Sequence, residues 1–159
     1  MSTLADIPEG IPVPPHRYIP GKTPRHPEGW FDPIKKSVHA GTPAVELHET
    51  EAFVAGRAYF NAGYFWECHE VLEAVWLQAP DSSAERDIVQ AIIQLANARL
   101  KILMGRPRAA LRLCSMVETQ LGRYPENAVI LGLPVARLVE GVHQTRTETI
   151  ENYSALNQR

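Results

Sequence analysis

The chain predicts an all-α protein, a compact bundle of about five helices behind an extended, proline-rich N-terminal arm. Three observations carry this. Nine of the thirteen prolines fall between Pro8 and Pro43, and proline removes a backbone donor and restricts the residue before it. From Val45 onward, apolar residues recur at helical spacing, punctuated by Gly63, Pro80, Gly105 and Pro125. No alternating strand pattern of useful length occurs.

The expected organisation is an arm over residues 1–44, a bundle domain over 45–150 and a fraying polar tail over 151–159. The arm reads as extended and polyproline-like. Tyr18, Ile19, Trp30, Phe31 and Ile34 are too apolar for a disordered tail, so they are expected to tuck against the bundle.

The first helix is predicted from about Val45 to Asn61, with Leu47, Phe53, Val54, Ala58 and Tyr59 near helical spacing; Gly63 ends it. The second runs from about Tyr64 to Gln78. Asp81 or Ser82 caps the third, with Glu85 completing a capping box from Ser82, and it reaches about Met104. Pro107 opens the fourth, to about Arg123, and Pro134 opens the fifth. Gly56, Tyr59, Gly63, Cys68, Leu72, Val75 and Pro80 fall at the offsets of a tetratricopeptide-repeat hairpin. Ala98, Gly105, Ala110, Cys114 and Val117 occupy similar slots, too far along for a regular array.

A length of 159 residues fits one domain with a real core. The net charge of -2 argues against a dedicated nucleic-acid binder. Arg106, Arg108, Arg112 and Arg123 read first as a solvated basic face, with a phosphate-bearing or RNA partner as the alternative. Cys68 and Cys114 lie on apolar helical faces, which favours buried thiols over a disulfide. The N-terminus lacks the pattern of a secretory signal, and the apolar stretch from Ala91 to Met104 is too short and too polar to span a bilayer. The expectation is a cytoplasmic protein without membrane contact. Its partner would be an unidentified protein or small molecule, and the arm would offer a surface for homo-oligomerisation.

The second helix carries the densest chemistry. The run from Phe60 to Trp76 holds Glu67, Glu70, Glu73, His69, Trp66 and Trp76. On a helical wheel, Phe65, Cys68, Val71, Leu72, Val75 and Trp76 form an apolar face, the three glutamates fan across the other side, and His69 stands one turn from Glu73. Helix-dipole stabilisation accounts for Glu67 and Glu70 but leaves Trp66, His69 and Glu73 unexplained. A divalent-metal reading makes His69 and Glu73 ligands and Glu70 the general base of a metal-dependent hydrolase, with His48, Glu49 and His143 as spare donors. The favoured reading is a polar network around a ligand. The third helix is apolar nearly all round except for the stripe Gln90, Gln94, Asn97 and Lys101, and buried amides need partners. An acidic, histidine-containing pocket between the second and third helices is therefore expected, formed by Asn61, Trp66, Glu67, His69, Glu70, Glu73, Trp76, Gln90 and Gln94. Arg99, on the apolar side, calls for a carboxylate or a solvent exit. No phosphate loop or nucleophile elbow occurs, so nucleophilic catalysis is poorly supported.

The stretch Phe60-Asn61-x-Gly63-x-Phe65-x-Glu67-x-His69-Glu70-x-Leu72-Glu73-x-x-Trp76, followed by Gln90-x-x-x-Gln94-Leu95-Ala96, resembles the bacterial and archaeal family filed as domain of unknown function 309. The resemblance covers roughly Phe53 to Leu121. It implies a compact all-α bundle without an established activity, and its signature positions fall on Asn61, Glu67, His69, Glu70, Glu73, Trp76, Gln90 and Gln94. Cys68 departs from the small residue common there.

Overall fold

The computed structural model describes residues 4–157, with side chains through Ser154. It is mostly helical. A short α1 spans Asp32–Lys35 and a 3-10 turn spans Ala44–Glu49. Four longer helices follow: α2 (Glu51–Asn61), α3 (Phe65–Gln78), α4 (Ala84–Leu103) and α5 (Pro107–Leu121). A two-residue antiparallel ladder, β1 (Val129–Ile130) with β2 (Leu133–Pro134), precedes α6 (Val135–Asn157).

Local chemistry sets these boundaries. The first predicted helix starts late because Thr50 is extended and its hydroxyl caps α2, accepting from Phe53 N–H at 3.3 Å. Pro43 and Thr50 hold the preceding residues as a separate 3-10 turn. Gly63 takes a left-handed φ of +83° and turns the chain into α3. Neither Asp81 nor Ser82 caps α4. Ser83 does, its hydroxyl accepting from Arg86 N–H at 3.1 Å, while Ser82 takes a positive φ. The β1–β2 turn uses Leu131 and Gly132, both at positive φ, the geometry of a tight hairpin. Two residues per strand are too few to show alternation in sequence. No proline or glycine interrupts α6 after Gly141, so it continues to Asn157 past the expected fraying point.

Consecutive helices pack as neighbours, α2 with α3, α3 with α4, α4 with α5 and α5 with α6. Helix α4 is central and also touches α6 and β1. Its Ile88, Val89, Ala91, Ile92, Leu95, Ala96, Ala98 and Leu100 are all buried. Helix α2 approaches α3 closely at Gly56, where a Cβ would run into the Leu72 side chain. Arg99 reaches Glu148 on α6 at 2.5 Å. Cys68 and Cys114 are free and buried. Among the described residues no helix is long and apolar enough to cross a membrane.

Residues 4–31 contain no helix and lie against the α2–α3 corner. Ala5 N–H donates to the Asn61 carbonyl at 2.9 Å, Arg17 Nη2 to the Ala62 carbonyl at 2.8 Å, and the Tyr59 hydroxyl to the Pro12 carbonyl at 2.7 Å. The Arg17 guanidinium also sits over the Tyr64 ring at 4.5 Å. Phe31, Ile34 and Val38 join the core. At the junction, Ser37 Oγ accepts from Ala52 N–H at 2.9 Å, tying the end of α1 to the start of α2.

Candidate functional site

The N-terminal segment forms one wall of a cleft and α3 the other. Two turns of α3 present Trp66 and Glu70, one helical turn apart. Tyr18, Arg25, His26, Trp30, Phe31 and Lys35 face them, and the cleft encloses about 550 Å³. Gly29, at φ +78°, bends the chain between Pro27 and Trp30. Trp66 is the hub of the aromatic wall. Its ring lies 5.0 Å from Tyr18, 5.8 Å from His26, 5.9 Å from Phe31 and 6.1 Å from His69, centroid to centroid.

Behind this wall Glu67 is fully buried, 0 % exposed, and His26 is 2 % exposed by side chain. Glu67 Oε2 lies 2.5 Å from His26 Nε2 and accepts from Tyr18 N–H at 2.7 Å. A buried carboxylate is tolerated only with such partners. Glu67 Oε1 and His26 Nδ1 are buried without a partner among the described residues. Charges of both signs ring the cleft. Glu70 pairs with Lys35, while Arg25, Glu28 and Asp32 line the opening.

The nine expected pocket residues separate. Trp66 and Glu70 line the cleft, and Glu67 stands behind it. His69 Nε2 approaches Glu73 Oε2 at 3.4 Å, the expected one-turn pairing. The glutamines go elsewhere. Gln90 Oε1 accepts from Gln120 on α5 at 3.0 Å, and Gln94 Oε1 accepts from Asn97 at 3.4 Å. Among the described residues no hydrogen bond joins the acidic flank of α3 to Gln90 or Gln94. The physical reason is that Tyr18 and His26 of the N-terminal segment and Lys35 of α1 supply the donors to Glu67 and Glu70, while Glu73 pairs with His69 on its own helix. Trp76 packs at the α3–α4 corner beneath Arg86, whose guanidinium lies 3.9 Å from the ring centroid. Asn61 lines a separate groove between α2, α4 and α6.

For a metal, His69, Glu70 and Glu73 each bring a donor atom within 4.8 Å of the others. Glu70 is engaged by Lys35. The Cys68 thiol is fully buried, and burial, with Glu67 nearby, pushes its pKa well above the usual range, which disfavours the reactive thiolate. Sequence reasoning placed Tyr18, Trp30 and Phe31 against the bundle but not at the site, and it passed over His26 and Lys35. The usable signal was the number of rings and histidines, His16, Tyr18, His26, Trp30 and Phe31, in so short a proline-rich stretch.

Fold and cleft together define a small, mostly helical protein with an aromatic-walled cleft. Residues 53–113, from α2 into α5, match the family model described as domain of unknown function (DUF309), the same family that the sequence motifs resemble. The matched stretch contains Trp66, Glu67 and Glu70 but not the opposing wall of the cleft. No curated protein and no solved structure matches the chain.

Proposed function

We propose that the protein is a small binding or scaffold module, and that its ligand site is the cleft between the N-terminal segment and α3. One observation carries this: a cleft of about 550 Å³ in which Trp66 and Glu70 face Tyr18, His26, Trp30 and Lys35. That volume is in the range of small-molecule sites, which combine aromatic walls with a few convergent polar groups. The rings favour a flat ligand by stacking. The mixed rim of Arg25, Lys35, Glu28 and Glu70 favours a ligand with groups of both signs. The α2–α3 pair, in close contact at Gly56 and Leu72, supports the tetratricopeptide-like hairpin as the frame. Free, buried Cys68 and Cys114 suit the reducing cytoplasm. Exposed Leu4 and Val13 on the N-terminal segment are the surface through which it would self-associate.

Titration of the full chain with aromatic amino acids and nucleosides, followed by tryptophan fluorescence, tests this reading. A saturable change that Trp66→Ala and Glu70→Gln weaken about tenfold or more, with folding retained, supports it. A flat response across the whole panel rejects it.

A second reading, a metal-dependent hydrolase, draws on the proximity of His69, Glu70 and Glu73. It makes His69 and Glu73 the ligands and Glu70 the general base. Elemental analysis of untagged protein decides it. Stoichiometric zinc, manganese or iron, lost in His69→Ala without unfolding, would displace the first reading.

A further inference from the structure

A second concave surface lies away from the cleft, between α2, α4 and the β2–α6 junction. Ile92, Leu95 and Leu133, all buried, form its floor. Phe60 and Leu138 form its sides, and Gly141 lets α6 come close to α4, its missing Cβ leaving room for Leu95. The groove is open to solvent on one side and its volume is about 110 Å³.

Two cationic side chains stand over this apolar floor. Arg57, half-buried, and Arg137, exposed at the rim, both line the groove, and among the described residues neither makes an ion pair or a side-chain hydrogen bond. Arg99, Arg86 and Arg146, by contrast, each hold a carboxylate. Asn61, the third polar residue of the groove, carries no charge to offset them. Burial, with the Arg137 guanidinium close by, lowers the pKa of Arg57 below the ordinary arginine range. Two like charges at the rim of an apolar floor disfavour each other. An anion between them removes that repulsion, and the guanidinium fork suits a carboxylate.

We propose that this groove binds a small monocarboxylate with a short apolar tail, the carboxylate between Arg57 and Arg137 and the tail on Ile92, Leu95 and Leu133. An apolar cavity of about 150 Å³ holds a benzene ring, so this groove takes a tail of about four to six carbons. The inference is independent of the cleft, with which it shares no lining residue.

Isothermal titration of the full chain with hexanoate, and with hexanamide as its neutral isostere, tests it. Hexanoate is expected to saturate with one site per chain and to bind about tenfold or more tighter than hexanamide. Arg57→Met and Arg137→Met each weaken hexanoate by a similar factor and leave hexanamide unchanged. Thermal midpoints of both variants stay at or above that of the parent chain, because a mutual repulsion is removed. Equal affinity for hexanoate and hexanamide on the unaltered chain overturns the proposal without recourse to any variant. So does the absence of saturation by hexanoate. A concentration-dependent dimer in sedimentation that either variant abolishes would assign the groove to a second copy of the chain and equally overturn it.

Discussion

Glu67 on α3 and His26 on the N-terminal segment meet at 2.5 Å with both side chains withdrawn from solvent. The pair fastens an irregular segment to a regular helix across 41 positions of sequence. Removing Glu67 leaves both His26 and the Tyr18 N–H without their acceptor, and removing His26 leaves the buried Glu67 with the Tyr18 N–H as its donor. Glu67→Ala is expected to destabilise the fold by about 3 kcal/mol. His26→Ala is expected to cost a similar amount, and the double variant less than the two together. Urea unfolding of the four proteins checks this, and additive losses would show that the two side chains do not act as a unit.

Gly56 faces Leu72 where α2 and α3 cross. Alanine would favour the helix by up to about 1 kcal/mol. Its methyl group collides with a fully buried leucine, and overpacking costs about 1–3 kcal/mol. Packing wins, so Gly56→Ala lowers the thermal midpoint. Gly56→Ala combined with Leu72→Ala tests the cause, because the collision disappears and the second substitution then costs less than it does alone.

The Tyr124 hydroxyl donates to Asp87 Oδ2 at 2.5 Å. This hydrogen bond, reinforced by burial, pushes the phenol up to about 12. An unfolded tyrosine titrates near 10. The folded value lies above the unfolded one, so the contribution is complete below pH about 10 and is lost as pH rises towards 12. Tyr59 shifts in the same direction, chiefly through burial. Stability therefore falls over that alkaline window, and Tyr124→Phe flattens the fall. Urea midpoints at several pH values between 9 and 12 measure it.

Cys68 and Cys114 are both buried, and burial raises both thiol pKa values. A thiolate is the reactive form. Neither thiol is expected to react with a water-soluble disulfide reagent at pH 8 until the chain unfolds. Reagent uptake and loss of helical circular dichroism should then share one urea midpoint. Rapid reaction of the native protein would contradict the packing around α3 and α5.

The helices were legible because their signals are local. Gly63, Pro80, Gly105 and Pro107 mark their ends, and the apolar faces of α3 and α4 recur with the helical period. Errors arose where two local signals compete. Ser82 and Ser83 both suit a cap, and only the backbone shows that Ser82 adopts a positive φ. The candidate site was half legible for a related reason. Trp66, Glu67 and Glu70 stood out by density on one helix. His26 sits in an extended segment without periodicity, so nothing in its neighbours points to Glu67. The glutamine stripe misled because buried amides need partners without saying which. Gln120, on the next helix, satisfied Gln90.

The region that matches the family model covers only the middle of a shared interior. Phe31 and Ile34 lie before it, Val135 and Val142 lie after it, and all four are buried with its own residues. A fragment excised at positions 53 and 113 would leave two raw oily flanks on the central helices. Anyone preparing a shortened version for crystals or binding assays should keep both ends, or expect precipitate.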